Sequence, residues 1–138
     1  QAKIGYLPEG APLYPDMTPR QLLRFVGAVR RMPKALLAQR CEIVVTYLNL
    51  EAVLDQSIDT LSKGFKRRVG LAQAILHDPD ILILDEPTDG LDPLQKREVR
   101  TLITSMAKEK AIIISTHILE EVDAVCSRAL IIAHGSNK

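Results

Sequence analysis

With 138 residues, 46% of them hydrophobic and 25% charged, the chain has the length and balance of one globular domain, which argues against disorder. Eighteen basic against seventeen acidic side chains leave a net charge of +1 spread along the sequence, so nothing demands nucleic acid as a partner. Cys41 and Cys126 lack a second ligand at metal spacing and read as buried cytosolic thiols, while no N-terminal apolar stretch makes a signal peptide and no aliphatic run approaches the ~20 residues of a membrane span.

The first predicted element is a strand over residues 3–7, ended by Pro8, and Pro8, Pro12 and Pro15 punctuate the loop that follows. Thr18 then Pro19 is a helix start, cap before first turn, and Leu22, Phe25, Val26 and Val29 recur at helical spacing as its apolar stripe. Pro33 breaks this helix. A second follows with Leu37, Cys41, Val44 and Leu48 on one stripe, so the pair forms a small helical subdomain. The pattern loosens after Asn49 until Ser62, which caps a third helix running to about His77 and stopped by Asp78-Pro79. Lys63, Lys66, Arg67 and Arg68 on that helix read as a solvated face.

The period then changes. Residues 81–84 are continuously apolar between turn signals, as in a strand buried on both faces of a parallel sheet. Asp92, Pro93 and Gln95 supply the cap, first turn and capping box of a helix bearing Val99, Leu102, Ile103 and Met106. A strand over 111–115, a short helix over 118–125 and a strand over 129–133, ended by His134-Gly135, complete an alternation that argues for a parallel α/β layer.

Asp85 and Glu86 put two carboxylates at the end of a buried strand, where such sheets open to ligands. Asp85 suits a Mg²⁺ ion whose octahedron is completed by nucleotide phosphates, and Glu86 suits the base that orients and deprotonates an attacking water. Standing alone, the pair would read as a loop that caps a helix.

Four segments turn this into a resemblance. Residues 81–93, Ile-Leu-Ile-Leu-Asp-Glu-Pro-Thr-Asp-Gly-Leu-Asp-Pro, resemble the Walker B motif and D-loop of ABC ATPases. Leu61-Ser-Lys-Gly-Phe65 resembles that family's signature motif, Ser115-Thr-His117 its switch histidine, and Tyr6-Leu-Pro-Glu9 sits where its Q-loop precedes the helical subdomain. The resemblance implies an α/β fold, a partial P-loop NTPase core with a mostly parallel sheet plus a small α-helical subdomain. Its segments are the Q-loop strand and loop (1–10), the helical subdomain (11–60), the signature helix (61–78) and the Walker B to switch-histidine core (79–138).

The implied cofactors are ATP and Mg²⁺. Glu86 and His117 would be catalytic, with His117 hydrogen-bonding the γ-phosphate and coupling it to Glu86. Asp85 and Glu9 would meet the metal. Ser62, Lys63, Gly64, Glu9 and Asp92 would contact nucleotide, with Ser62 and Gly64 acting in trans on ATP held by a second subunit. A helix N-terminus suits that task, because its amides and dipole favour phosphate. Lys63 and Phe65 depart from the usual Gly and Gln; Lys63 either adds charge near the phosphates or is a surface lysine. Glu9 replaces the usual glutamine, as in the gliding-motility and multidrug exporter type. His77 and His134 carry no assigned function.

The implied partners are a second nucleotide-binding subunit and transmembrane permease subunits, docked on residues 19–48 and the Glu9 loop at the inner face of the cell membrane. A soluble ABC ATPase acting on ribosomes or chromosomes is the alternative. The spacing of only about fifty residues between Glu9 and Ser62, and Asp89-Gly-Leu-Asp92 in place of Asn-His-Leu-Asp, favour transport. The phosphate-cradling motif G-x-x-x-x-G-K-[ST] occurs nowhere among the glycines at 5, 10, 27, 64, 70, 90 and 135. The chain is therefore expected to be a fragment, inactive alone. A strand missing between residues 111–115 and 129–133 would leave an apolar edge through which it self-associates.

Overall fold

Three short aliphatic runs become three parallel strands in the computed structural model, which describes residues 3–10, 13–133 and 136–137. Strand β1 (Ile4–Leu7) pairs with β2 (Ile81–Asp85), and β2 with β3 (Ala111–Ser115), so β2 is central in the order β1-β2-β3. Parallel pairing requires long crossovers. The first carries helices α1 (Pro19–Val29), α2 (Lys34–Tyr47) and α3 (Lys63–Ile75); the second carries α4 (Pro93–Met106).

The register decides which side chains share a face. Leu7, Leu82 and Leu84 are fully buried on one side, with Ile112 and Ile114 half-buried beside them, and they join Val69, Ala72, Val99 and Ile103 in one core. On the other side Ile4, Tyr6 and Ile113 are exposed, and Ile81 and Ile83 only half-buried. The expectation that residues 81–84 are buried on both faces is thus corrected: the described helices cover one face, and the alternation of strand side chains leaves the other open.

Helix α1 begins as its sequence requires. Thr18 accepts from the Gln21 amide and the Gln21 side chain returns to the Thr18 amide, a complete capping box with Pro19 in the first turn. Its buried arc is Leu22, Leu23 and Gly27, whereas Phe25 and Val29 are exposed, because α1 must meet both α2 and α3. Phe25 instead packs edge-on against Tyr14, with ring centroids 5.6 Å apart. In α2, Val44 is buried and Leu37 and Cys41 are half-buried; two 3₁₀ turns, Glu51–Val53 and Ile58–Thr60, lead on to Ser62.

The basic run on α3 is not uniformly solvated. Arg67 is buried and Arg68 half-buried against Glu98, because one helical turn carries them from the outer to the inner side. Cys41 and Cys126 are free and half-buried rather than fully enclosed. After α5 (Leu119–Val125) the expected strand over 129–133 shrinks to β4 (Ile132–Ala133), which pairs antiparallel with β5 (Ser136–Asn137) and not with the main sheet. No described strand lies beside β3 for it to join, and Leu130, Ile131 and Ile132 stay exposed. His134-Gly135 lies outside the described residues. No described helix is long and apolar enough to cross a membrane.

Candidate active site at the ends of β2 and β3

The pleat of β2 ends at Asp85, still paired in register with Ser115, whose hydroxyl donates to the Asp85 carboxylate. At Glu86 the backbone turns into the left-handed region, with φ of 45°, while its amide still bonds to the Ser115 carbonyl at 2.9 Å. The chain then closes a tight turn through Asp89 N to Glu86 O (3.2 Å) and Leu91 N to Thr88 O (3.3 Å). Gly90 takes φ of 70° in that turn, and Asp92 starts α4 by accepting from the Gln95 amide at 2.8 Å, in a full capping box with Pro93 behind it. Consecutive residues 85 and 86 therefore project differently, one in the strand and one out of it.

His117 meets Glu86 from the end of β3. Its backbone amide donates to Glu86 Oε1 at 3.1 Å and its Nδ1 lies 2.8 Å from the same oxygen. The Glu86 side chain is only 15% exposed, the imidazole 72%. Hydrogen bonding to Glu86 and that carboxylate's charge hold the imidazole pKa above its ordinary value, with smaller help from Asp89 and Glu9. His117 Nδ1 is committed to Glu86, which leaves Nε2 as its second hydrogen-bonding atom. Glu86 spends Oε1 on His117, and its other oxygen takes part in none of the described hydrogen bonds.

Glu9, two residues beyond β1, is exposed, and its negative charge acts on both His117 and Arg67. Sequence order alone would not have joined it to residue 117; the adjacency of β1 and β2 does. Ser62 caps α3, its hydroxyl accepting from the Phe65 amide at 3.3 Å. Gly64 faces the start of α4: a Cβ there would lie 2.9 Å from the Gln95 side-chain nitrogen. Lys63 is exposed, with Nζ 3.7 Å from where a Gly90 Cβ would stand. Among the described contacts, Lys63 approaches Gly90 and Gly64 meets Gln95 at the head of α4, while Ser62 caps α3; none of the three meets Glu86 or His117. They form a second patch, with Asp92 at its edge.

Three contributors were not singled out by sequence reasoning. Ser115 was legible only as context, although β2–β3 register places it opposite Asp85. Arg67 donates to the Asp89 carbonyl at 3.2 Å from inside α3, where burial lowers its pKa against the pull of Asp89 and Glu9. Glu121, 3% exposed, gave no signal among the acidic residues of an apparent surface helix.

Mg²⁺ fits this donor set. Among the described residues no three His, Cys, Asp or Glu side chains converge as a closed metal cage, but Asp85 offers a hard oxygen at an open strand end. That is the pattern of an ion held by one or two carboxylates and otherwise by water and phosphate oxygens.

Comparison with known proteins bears on the family of the chain. The family model described as ABC transporter matches residues 1–89. The chain is 36% identical over 132 residues to the uncharacterized ABC transporter ATP-binding protein YxlF of Bacillus subtilis, covering 96% of this chain and 45% of that protein. It is 39% identical over 134 residues to an uncharacterized ABC transporter ATP-binding protein of Methanocaldococcus jannaschii, covering 96% and 51%. It is also 36% identical over 136 residues to the Nod factor export ATP-binding protein I of Paraburkholderia xenovorans, covering 98% and 45%. The chain spans about half the length of the curated relatives it matches.

Proposed function

This chain belongs to the ABC transporter family, and we propose that it supplies the Q-loop, helical, signature, Walker B, D-loop and switch segments of an ATP-hydrolysing subunit that powers transport. The observation that carries this reading is the Glu86–His117 pair at the open end of the sheet, where one Glu86 oxygen accepts twice from His117. Glu86 orients and deprotonates the attacking water with its remaining oxygen. His117, engaged with Glu86 through Nδ1, turns Nε2 toward a phosphate oxygen. Asp85, fixed by the Ser115 hydroxyl, would hold Mg²⁺, with Glu9 as a second carboxylate ligand, and the ion would supply neutralisation of charge on the phosphates.

Ser62, Lys63 and Gly64 sit at a separate helix start, Lys63 close to Gly90 and Gly64 against Gln95, which supports their use in trans on nucleotide bound by a second subunit, with Asp92 assigned to the same contact. These 138 residues hold no G-x-x-x-x-G-K-[ST] motif, so the proposed hydrolysis takes that loop from outside this sequence. An apolar groove of about 860 Å³ between α1 and α2, floored by Leu23, Leu37 and Val45 and rimmed by Arg20 and Arg24, supports residues 19–48 as the docking surface for permease subunits at the inner membrane face. Tyr6-Leu-Pro-Glu9, together with a relative named for Nod factor export, supports an exporter of the gliding-motility and multidrug type.

The test is Glu86→Gln in the protein that unites these segments with a phosphate loop. Loss of a general base lowers turnover by roughly 10²–10⁴-fold and should accumulate an ATP-bound dimer in size-exclusion chromatography. Hydrolysis at the parent rate would sink the role given to Glu86.

A further inference from the structure

We propose that Arg67 is a positioning residue: from its seat in α3 it holds the turn after β2, and so keeps the Glu86 carboxylate where the attacking water must be met. This deepens the function above and rests on its assignment of Glu86 to hydrolysis.

Helix α3 is a firm post, since Val69, Leu71 and Ala72 are fully buried in the core. Arg67 lies on the same helix, only 8% exposed, and its Nη2 donates to the Asp89 carbonyl at 3.2 Å. Asp89 in turn donates its amide to the Glu86 carbonyl, also at 3.2 Å. Two described hydrogen bonds therefore run from α3 to the residue whose backbone stands at φ of 45°. A side chain with a Cβ keeps such a conformation only where its surroundings over-determine it. The Ser115 carbonyl restrains Glu86 from the β3 side, and Arg67 restrains its turn from α3.

For stability alone the arrangement is a poor one. Arg67 Nη1 is buried with no hydrogen-bond partner among the described residues, so the guanidinium is desolvated in return for a bond to one neutral carbonyl. Nor is the contact needed to seat α3 on α4, because the adjacent Arg68 already pairs with Glu98. A buried cation that gives so little to the fold, yet meets the turn that carries Glu86, is explained by its hold on that turn.

Arg67→Met keeps the apolar stem and removes the guanidinium. In the full chain, solvent-exchange NMR should show the Asp89 amide exchanging about 2–10-fold faster, the worth of one hydrogen bond lost from the turn. The Ala107 amide, bonded to Ile103 O at 2.9 Å at the far end of α4, is the control and should keep its rate. Loss of the cation by itself would slow hydroxide-catalysed exchange at Asp89, so acceleration reports lost geometry and not lost charge. Arg67→Lys decides the matter should Arg67→Met fail to fold. It keeps the charge, its Nζ ends about 1.3 Å short of Nη2, and Asp89 should again exchange faster. In the protein that unites these segments with a phosphate loop, either variant should lower kcat by about 10–100-fold with KM for ATP unchanged. An Asp89 amide that exchanges at the parent rate or slower, a parallel acceleration at Ala107, or an unchanged kcat would overturn the proposal. The exchange measurement does not depend on ATP turnover, so its failure is distinguishable from failure of Glu86→Gln.

Discussion

Gly5 is where β1 and α3 come closest, and replacing it with alanine tests whether that contact is limited by backbone. A Cβ at residue 5 would stand 2.2 Å from the Ala74 carbonyl oxygen, 2.9 Å from Pro79 Cγ and 3.0 Å from Leu82 Cδ1. Carbon atoms in good contact keep about 3.5–4.0 Å. The nearest obstacle is main chain near the end of a buried helix, and the second is a ring with no rotamer to escape into, so β1 and α3 must part. Overpacking of this kind costs about 1–3 kcal/mol, and the backbone obstacle places Gly5→Ala toward the upper end. At roughly 3–5 °C per kcal/mol for a domain of this length, the melting temperature should drop by about 10 °C. Thermal unfolding by circular dichroism measures it, with Gly64→Ala as the contrast. There the obstacle is the tip of the Gln95 side chain, which can swing aside, and alanine also favours the helix, so the net change should stay within about 1 kcal/mol. A Gly5→Ala melt within about 2 °C of the parent would refute the assigned tightness of the β1–α3 contact.

Two further outcomes follow from described features. His77 lies 3.0 Å from the Ile4 carbonyl through Nε2, and its Nδ1 is buried without a partner; burial lowers its pKa, and Arg30, Lys110 and Arg40 add to that against the pull of the Ile4 bond. A folded pKa below the unfolded ~6.5 means the unfolded chain binds more protons, so stability present above that pH declines as pH falls below it. His117, shifted upward, acts in the opposite sense. Urea unfolding at pH 7.5 and 5.5 should therefore show a smaller acid loss in His77→Gln than in the parent, and equal losses would count against the assignment. The open sheet face around Tyr6, Ile83 and Ile113, with the free edge of β3, should make the isolated chain self-associate as concentration rises, whereas a monodisperse monomer in concentrated light-scattering samples would refute this.

How far the sequence could be read depended on the range of the forces involved. Thr18-Pro19-Arg20-Gln21 and Asp92-Pro93-Leu94-Gln95 each fix a helix start within four residues, and both capping boxes form. The β2 and β3 runs were legible because an uninterrupted aliphatic stretch between turn residues has few alternatives. Phe25 and Val29 lie outward and Leu23 inward because packing on two helices, not periodicity alone, selects the buried arc of α1. Residues 129–133 have strand composition, but a strand needs a neighbour, and composition cannot supply one. Within the site, Glu86 and His117 carry local motifs, whereas the burial of Glu121 depends on its pairing with Arg100, which is distant in sequence.

The left-handed backbone at Glu86 sets stability and chemistry against each other at one residue. A side chain with a Cβ held at φ of 45° costs about 1 kcal/mol or more, which glycine would recover. Any selection for thermal robustness alone would therefore favour glycine at 86 and discard the carboxylate in the same step. Engineers seeking a hardier version of this domain must look for their gains elsewhere, since the most accessible stabilising exchange here removes the residue on which the proposed chemistry turns.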